Sequence, residues 1–192
     1  VTLVRNGGDL IPLATPERAC FAVMVENRYS SDGQVFTQEV RKRAPRAVIA
    51  SLDASMSRDA LEEAIRGLPA CQSYAVAAFA TVSAYRGSVG LAGELPHAVE
   101  ALVASGQPVA LIALGNPYLL RNFPGVTAYL ATFSNVPPSE MAAVQALFGE
   151  IDIRGHLPVS IPGLANYGEG IQVPATRAAT ARYRVQAANP AQ

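Results

Sequence analysis

Short runs of β-branched and other apolar residues recur along the chain with helical patterns between them, and this alternation restricts the fold more than any other feature. The runs are residues 2–5, 20–25, 47–52, 74–82, 109–114 and 126–132. Most are apolar at successive positions, as in AVIASL and VALIAL. A strand wetted on one side alternates apolar with polar residues, whereas a strand covered on both sides need not, so these segments read as strands of a mostly parallel sheet flanked by helices.

The helical segments carry their own punctuation. In residues 57–68, Ala60, Leu61, Ala64, Ile65 and Leu68 share one face, Ser57 stands ready to cap, and Pro69 follows the end. In residues 95–105, Pro96 suits the first helical position and Gly106 the left-handed stop. The same pattern repeats in residues 139–148, preceded by Pro137 and Pro138 and closed by Gly149, and residues 33–44 form a fourth helix with Asp32 as its cap. After Gly149 the segment GHLPVSI reads as a short edge strand between Gly155 and Pro162. The expected fold is an α/β domain over residues 1–172: a three-layer α/β sandwich with a mostly parallel sheet of about five to six strands, flavodoxin-like in general architecture. Residues 173–192, rich in Ala, Arg, Gln and Pro and without periodicity, read as a surface-draped or disordered tail.

With 192 residues, half of them hydrophobic and 16% charged, the chain is long enough to bury one full core. Fifteen basic residues balance fifteen acidic ones, which argues against a nucleic-acid or anionic-membrane partner. The longest apolar run, residues 108–114, is far too short to span a bilayer as a helix. Cys20 and Cys71 lack the spacing of a zinc site, and both fall near core segments, so two buried free thiols are expected. The chain begins at Val1 and passes at once into a strand pattern, as an excised piece of a longer protein would.

In open α/β sheets ligands bind beyond the carboxyl ends of the strands, here the loops that begin near Glu26, Asp53, Ser83, Gly115 and Phe133. None carries a G-x-G-x-x-G or P-loop pattern, so no nucleotide cofactor is expected. Arg28 and Tyr29, in ENRYSSDG, are placed to face a partner or a sugar. Ser57 lacks the G-x-S-x-G elbow of a serine hydrolase, and His97 and His156 stand too far apart to suggest a triad or a metal site. Glu62, Glu63, Glu100, Glu140 and Glu150 fall on solvent faces or ends of the expected helices. Glu26, Asp53 and Glu94 lie near strand-end loops but without a partnering carboxylate, so no catalytic residue is assigned, and no metal or other cofactor either.

Three strings, in order, carry a resemblance. TLVRNGGDLIPL, VALIALGNPYLLRNFPGVTAYLATF and ALFGEIDIRGHLPVSIPG, with YGEGI after them, are similar to segments of the C-terminal domain of glycoside hydrolase family 3 proteins, especially the β-N-acetylhexosaminidase branch. The resemblance runs from near residue 2 to near residue 171. It implies a preceding (β/α)8 barrel, absent from this chain, which supplies the nucleophile and most of the sugar pocket. In the β-glucosidase-like branches the acid/base glutamate comes from a stretch corresponding here to SAYRGSVGLAGELP, which has no carboxylate before Glu94. The hexosaminidase-like branch uses a histidine on the barrel instead, and the empty stretch agrees with it. His156 and Glu169 depart from the basic residue and the histidine usual at their places.

The resulting expectation is a non-catalytic C-terminal domain of a two-domain glycosidase of β-N-acetylhexosaminidase or β-glucosidase type. Its partners would be the barrel of the same protein, the sugar held by that barrel and, weakly, a second copy of itself. Tyr85, Arg86 and Asn116 are the candidate rim residues. The alternative is a free-standing flavodoxin-like binding module; the compartment, cytoplasmic or exported, is left open.

Overall fold

The structure, a computed structural model, describes residues 1–80 and 90–176. In chain order the elements are β1 (Thr2–Asn6), β2 (Ala19–Val25), α1 (Gln34–Arg43), β3 (Val48–Asp53), α2 (Arg58–Arg66), β4 (Ser73–Ala80), α3 (Leu95–Ala104), β5 (Val109–Gly115), α4 (Leu119–Asn122), β6 (Ala128–Ala131) and α5 (Pro137–Leu147). The strands form one six-stranded sheet in the order β1-β6-β5-β4-β2-β3. Strands β2 to β6 are parallel to their neighbours, and only β1 runs antiparallel, against β6.

Unbroken apolar runs have the expected consequence at the centre of the sheet. Every residue of β4 is buried, as is every residue of β5 up to Leu114. Side chains alternate between two clusters. Ala22, Met24, Val76 and Leu111 join Leu61 of α2 and Leu95, Val99 and Leu102 of α3. Phe21, Val23, Ala77 and Ile112 join Phe36 and Val40 of α1 and Val144 and Leu147 of α5. Phe21 anchors the second cluster, with Phe36 edge-on at 6.4 Å and Phe148 stacked at 6.3 Å between ring centroids. Phe21 and Phe36, both fully buried, each contribute roughly 1.5–3 kcal/mol by leaving water.

Several local expectations change. The run at residues 47–52 becomes β3, an edge strand in which only Leu52 is fully buried and Ser51 is exposed. Its composition matches a central strand, but strand order, set by the whole chain, puts it last. GHLPVSI forms no strand; single bridges (Leu3 with Ile171, Ile153 with Val173, Ile161 with Ala165) tie this region down instead. A Cβ on Gly155 would collide with the Val1 carbonyl, and Ile171 N–H donates to the Leu3 carbonyl at 2.7 Å, so the segment lies against the β1 edge. Leu157, Ile161 and Ala165 join the core from it. His156 therefore sits in a loop. Thr176 N–H donates to the Gly149 carbonyl at 2.8 Å, which anchors the start of the stretch expected to be a tail. Residues 177–192 lie outside the described residues.

Helix starts show the same mixture. Ser57 caps α2, accepting from Ala60 N–H at 3.3 Å. Asp32 does not cap α1: Gly33, at φ +79°, holds that position, while the Asp32 carboxylate accepts from Asn135 Nδ2 at 3.3 Å. Helix α5 takes Pro137 and Pro138 into its first turn instead of following them.

Cys20 and Cys71 are joined in a disulfide, not free. Cys20 is the second residue of β2 and Cys71 stands just before β4, two strands that run side by side with Cys20 opposite Tyr74, so the Cα atoms come within 5.7 Å. Adjacency of these strands, invisible in the spacing of two cysteines, makes the bridge. Linking residues 51 apart restricts the unfolded chain and contributes about 2–4 kcal/mol. Reduction, or the double substitution Cys20→Ala/Cys71→Ala, should lower the unfolding free energy measured in urea by that amount while leaving the native far-UV circular dichroism unchanged.

Candidate functional site

Because β2, β3, β5 and β6 share a direction, the loops after them emerge along one edge of the sheet. The loop after β2 is braced by its own polar side chains. Asn27 Oδ1 accepts from Tyr29 N–H at 2.9 Å, and Ser30 Oγ accepts from Asp32 N–H at 3.1 Å. The Arg28 guanidinium lies 5.9 Å from the centre of the Tyr29 ring, which is 86% exposed. At the end of β3, Asp53 accepts from both the hydroxyl and the N–H of Ser55. The Ser55 hydroxyl above all, with Arg28 adding positive charge, holds the Asp53 carboxyl below the usual carboxylate range. Arg28, Gln34, Thr37, Gln38, Ser51 and Asp53 line a cleft of about 590 Å³ between this loop, α1 and β3.

After β5 the chain turns at Gly115, φ +109°, and Asn116 follows, buried. Its Oδ1 accepts from Tyr118 N–H at 2.9 Å, so Tyr118 becomes the N-cap of α4 and the helix begins at Leu119. The Tyr129 hydroxyl, whose pKa burial pushes far up, donates to the Pro117 carbonyl at 2.8 Å and holds this turn on the sheet. A second groove, about 630 Å³ and mostly apolar, runs between Leu91, Pro96, Asn116, Tyr118, Arg121 and Pro162. Of the expected rim residues, Asn116 lines this groove; Tyr85 and Arg86 lie outside the described residues. Arg28 and Asp53 line the other cleft, so the strand-end residues singled out from sequence divide between two places.

Two carboxylates expected at the surface are drawn inside. Glu140 is buried, and its Oε2 accepts from Phe36 N–H at 2.7 Å, with the Gly33 and Val35 amides also turned toward it. A glutamate of α5 thus serves the first turn of α1, which has no side-chain cap of its own. Burial pushes its pKa up, the amides counter this, and nearby Asp32 adds to the rise. Glu150 receives Arg43 Nε and Nη2 at 2.7 and 2.8 Å, and Arg43 also meets Glu39. The guanidinium's pKa is lowered by burial but raised by more through these two partners. No sequence signal points to Glu140, because Asp32 reads as the cap of α1 and leaves its first turn with no evident need of another acceptor.

His97 stands 3.5 Å from Glu94 and 3.2 Å from Glu100, on the surface of α3. No group of three or more His, Cys, Asp or Glu suited to a metal ion occurs among the described residues. The polar cleft sets the Asp53 carboxylate, held below its usual range, beside the Arg28 guanidinium, with Asp32 also in its lining, an arrangement suited to binding rather than to proton donation.

No protein-family model and no curated relative matches the chain. Solved structures do. A fungal multi-domain glycoside hydrolase family 3 β-N-acetylglucosaminidase is similar with a TM-score of 0.65 and 23% identity, over 91% of this chain and 19% of that one. A β-glucosidase from Erythrobacter marinus gives 0.65 and 18%, over 89% and 33%. A glycoside hydrolase family 3 β-N-acetylglucosaminidase from Paenibacillus sp. gives 0.61 and 15%, over 77% and 28%. At these identities the likeness is one of fold, and this chain spans from about a fifth to a third of each of these proteins.

The buried carboxylate generates a pH dependence. The folded protein holds the Glu140 proton more tightly than the unfolded chain, so its contribution to stability is complete below the ordinary glutamate pKa of about 4.3 and is lost as pH rises through the raised value. Glu140→Gln should flatten that loss, whereas Glu140→Ala, which leaves the α1 amides without an acceptor, should cost about 1–3 kcal/mol. Urea unfolding at acidic and at alkaline pH separates the two effects.

Proposed function

We propose that this chain is the non-catalytic second domain of a two-domain family 3 glycosidase, a three-layer α/β sandwich docked beside a (β/α)8 barrel that carries the reacting groups. The observation that carries this reading is the likeness in fold to part of each of several much longer glycosidases. Three ordered sequence strings support it independently. Retaining cleavage in its usual form needs two carboxyl groups about 5 Å apart, one of them a proton donor. Asp53 is a poor donor at neutral pH, and Glu94 lies at the surface beside His97.

The carboxylate-free stretch from Ser83 to Gly93 favours the β-N-acetylhexosaminidase branch over the β-glucosidase one. Tyr118 and Val136, 38% and 49% exposed at the strand-end edge, give the barrel apolar surface to cover. Interfaces of this kind bury roughly 600–1,500 Å². Tyr85, Arg86 and Asn116 would then orient a sugar at the rim. The Cys20–Cys71 bridge favours an oxidising compartment for the parent protein.

The assay compares this chain with a version extended through the upstream barrel, on aryl β-N-acetylglucosaminides and aryl β-glucosides. The chain alone should give no turnover above background, and the longer protein should cleave the first substrate. Turnover by the chain alone that survives repurification and is lost in Asp53→Asn or Glu94→Gln would make it a hydrolase in its own right.

A further inference from the structure

The scaffold role leaves the cleft at the carboxyl ends of β2 and β3 unused. Val23 lies opposite Ser51 and Val25 opposite Asp53 in register, so the polar side chains of β3 stand on the α1 side of the sheet beside an apolar floor. Because β3 is the last strand, no further strand pairs beyond it among the described residues, and the cleft opens to water there. Its volume, about 590 Å³, lies within the roughly 300–1,000 Å³ typical of small-molecule sites.

Its chemistry narrows the occupant. Phosphate groups in such sheets are ordinarily held by the amides at a helix N-terminus. Here the amides of α1 already serve the Glu140 carboxylate. Among the described residues lining the cleft, Asp32 and Asp53 outnumber the one guanidinium, which further disfavours an anion. Arg28 in turn disfavours a cation, and the polar walls disfavour a hydrocarbon. What suits the cleft is a molecule that donates and accepts many hydrogen bonds without net charge. The Gln34 and Gln38 amides each do both, Asp53 accepts, and Arg28 donates. At the rim, Tyr29 offers an exposed ring against which the C–H face of a sugar can rest.

We infer that this cleft binds a neutral, hydroxyl-rich ligand of mono- or disaccharide size through Arg28, Gln34, Gln38 and Asp53, with Tyr29 at its rim. The site is made from this chain alone and needs no residue of a barrel, so its test is independent of the glycosidase assay.

Titration of the labelled chain, followed through its assigned amide resonances, uses N-acetylglucosamine, glucose, N,N′-diacetylchitobiose and inorganic phosphate as probes. At least one sugar should give saturable millimolar shifts centred on the loop after β2, the start of α1 and the end of β3, and phosphate should give none there. Arg28 and Gln38 are exposed, so Arg28→Ala and Gln38→Ala should keep a native spectrum while weakening that sugar by roughly tenfold each. The proposal fails if no sugar saturates the cleft, if phosphate binds there in preference, or if both variants with native spectra keep the original affinity.

Discussion

Burial of the central strands on both faces is the constraint from which the rest of the structure follows. Strands β4 and β5 present apolar side chains upward and downward alike, and neither face tolerates water. Helices must therefore cover both, α2 and α3 against one cluster and α1 and α5 against the other. The connections that bring each helix back across the sheet keep the strands parallel, and parallel strands deliver their carboxyl-end loops to a single edge. Polar chemistry has that edge available because the interior has none to spare.

Glu140 is one exception inside, and its position limits function as much as fold. A parallel α/β sheet ordinarily offers helix N-termini as anion sites. In this chain the N-terminus of α1 is occupied from within by a carboxylate of α5, which joins the two helices of that face and takes up the helix amides that would otherwise receive a phosphate. The remaining recognition groups are side chains: a guanidinium, two carboxylates, amides and hydroxyls among the described residues. That set matches the neutral, hydroxyl-rich ligand inferred for the cleft.

Sequence reading reached the central strands because unbroken apolar runs have one cheap solution, and it reached Ser57 as a cap because capping is local chemistry. It misplaced whatever depends on neighbours far along the chain. The run AVIASL looks as central as VALIAL, yet only one of them has a strand on each side. Cys20 and Cys71 meet because β2 pairs with β4, and Glu140 turns inward because α1 lacks a capping side chain. Arg28, Tyr29 and Asp53 were each visible near strand ends; their convergence required the parallel register that places Val25 beside Asp53. Asn116 was legible as a rim candidate, and its burial was not.

Native-state amide hydrogen exchange tests the central constraint most directly, since protection reports how much of the structure must open to free each amide. Across residues 109–114 of β5 and 74–79 of β4, exchange should require global unfolding, whereas residues 48–53 of β3, wetted at the edge, should exchange through smaller openings and therefore faster. Equal protection of β3 and β5, or fast exchange in β5, would contradict a fold organised around strands buried on both faces.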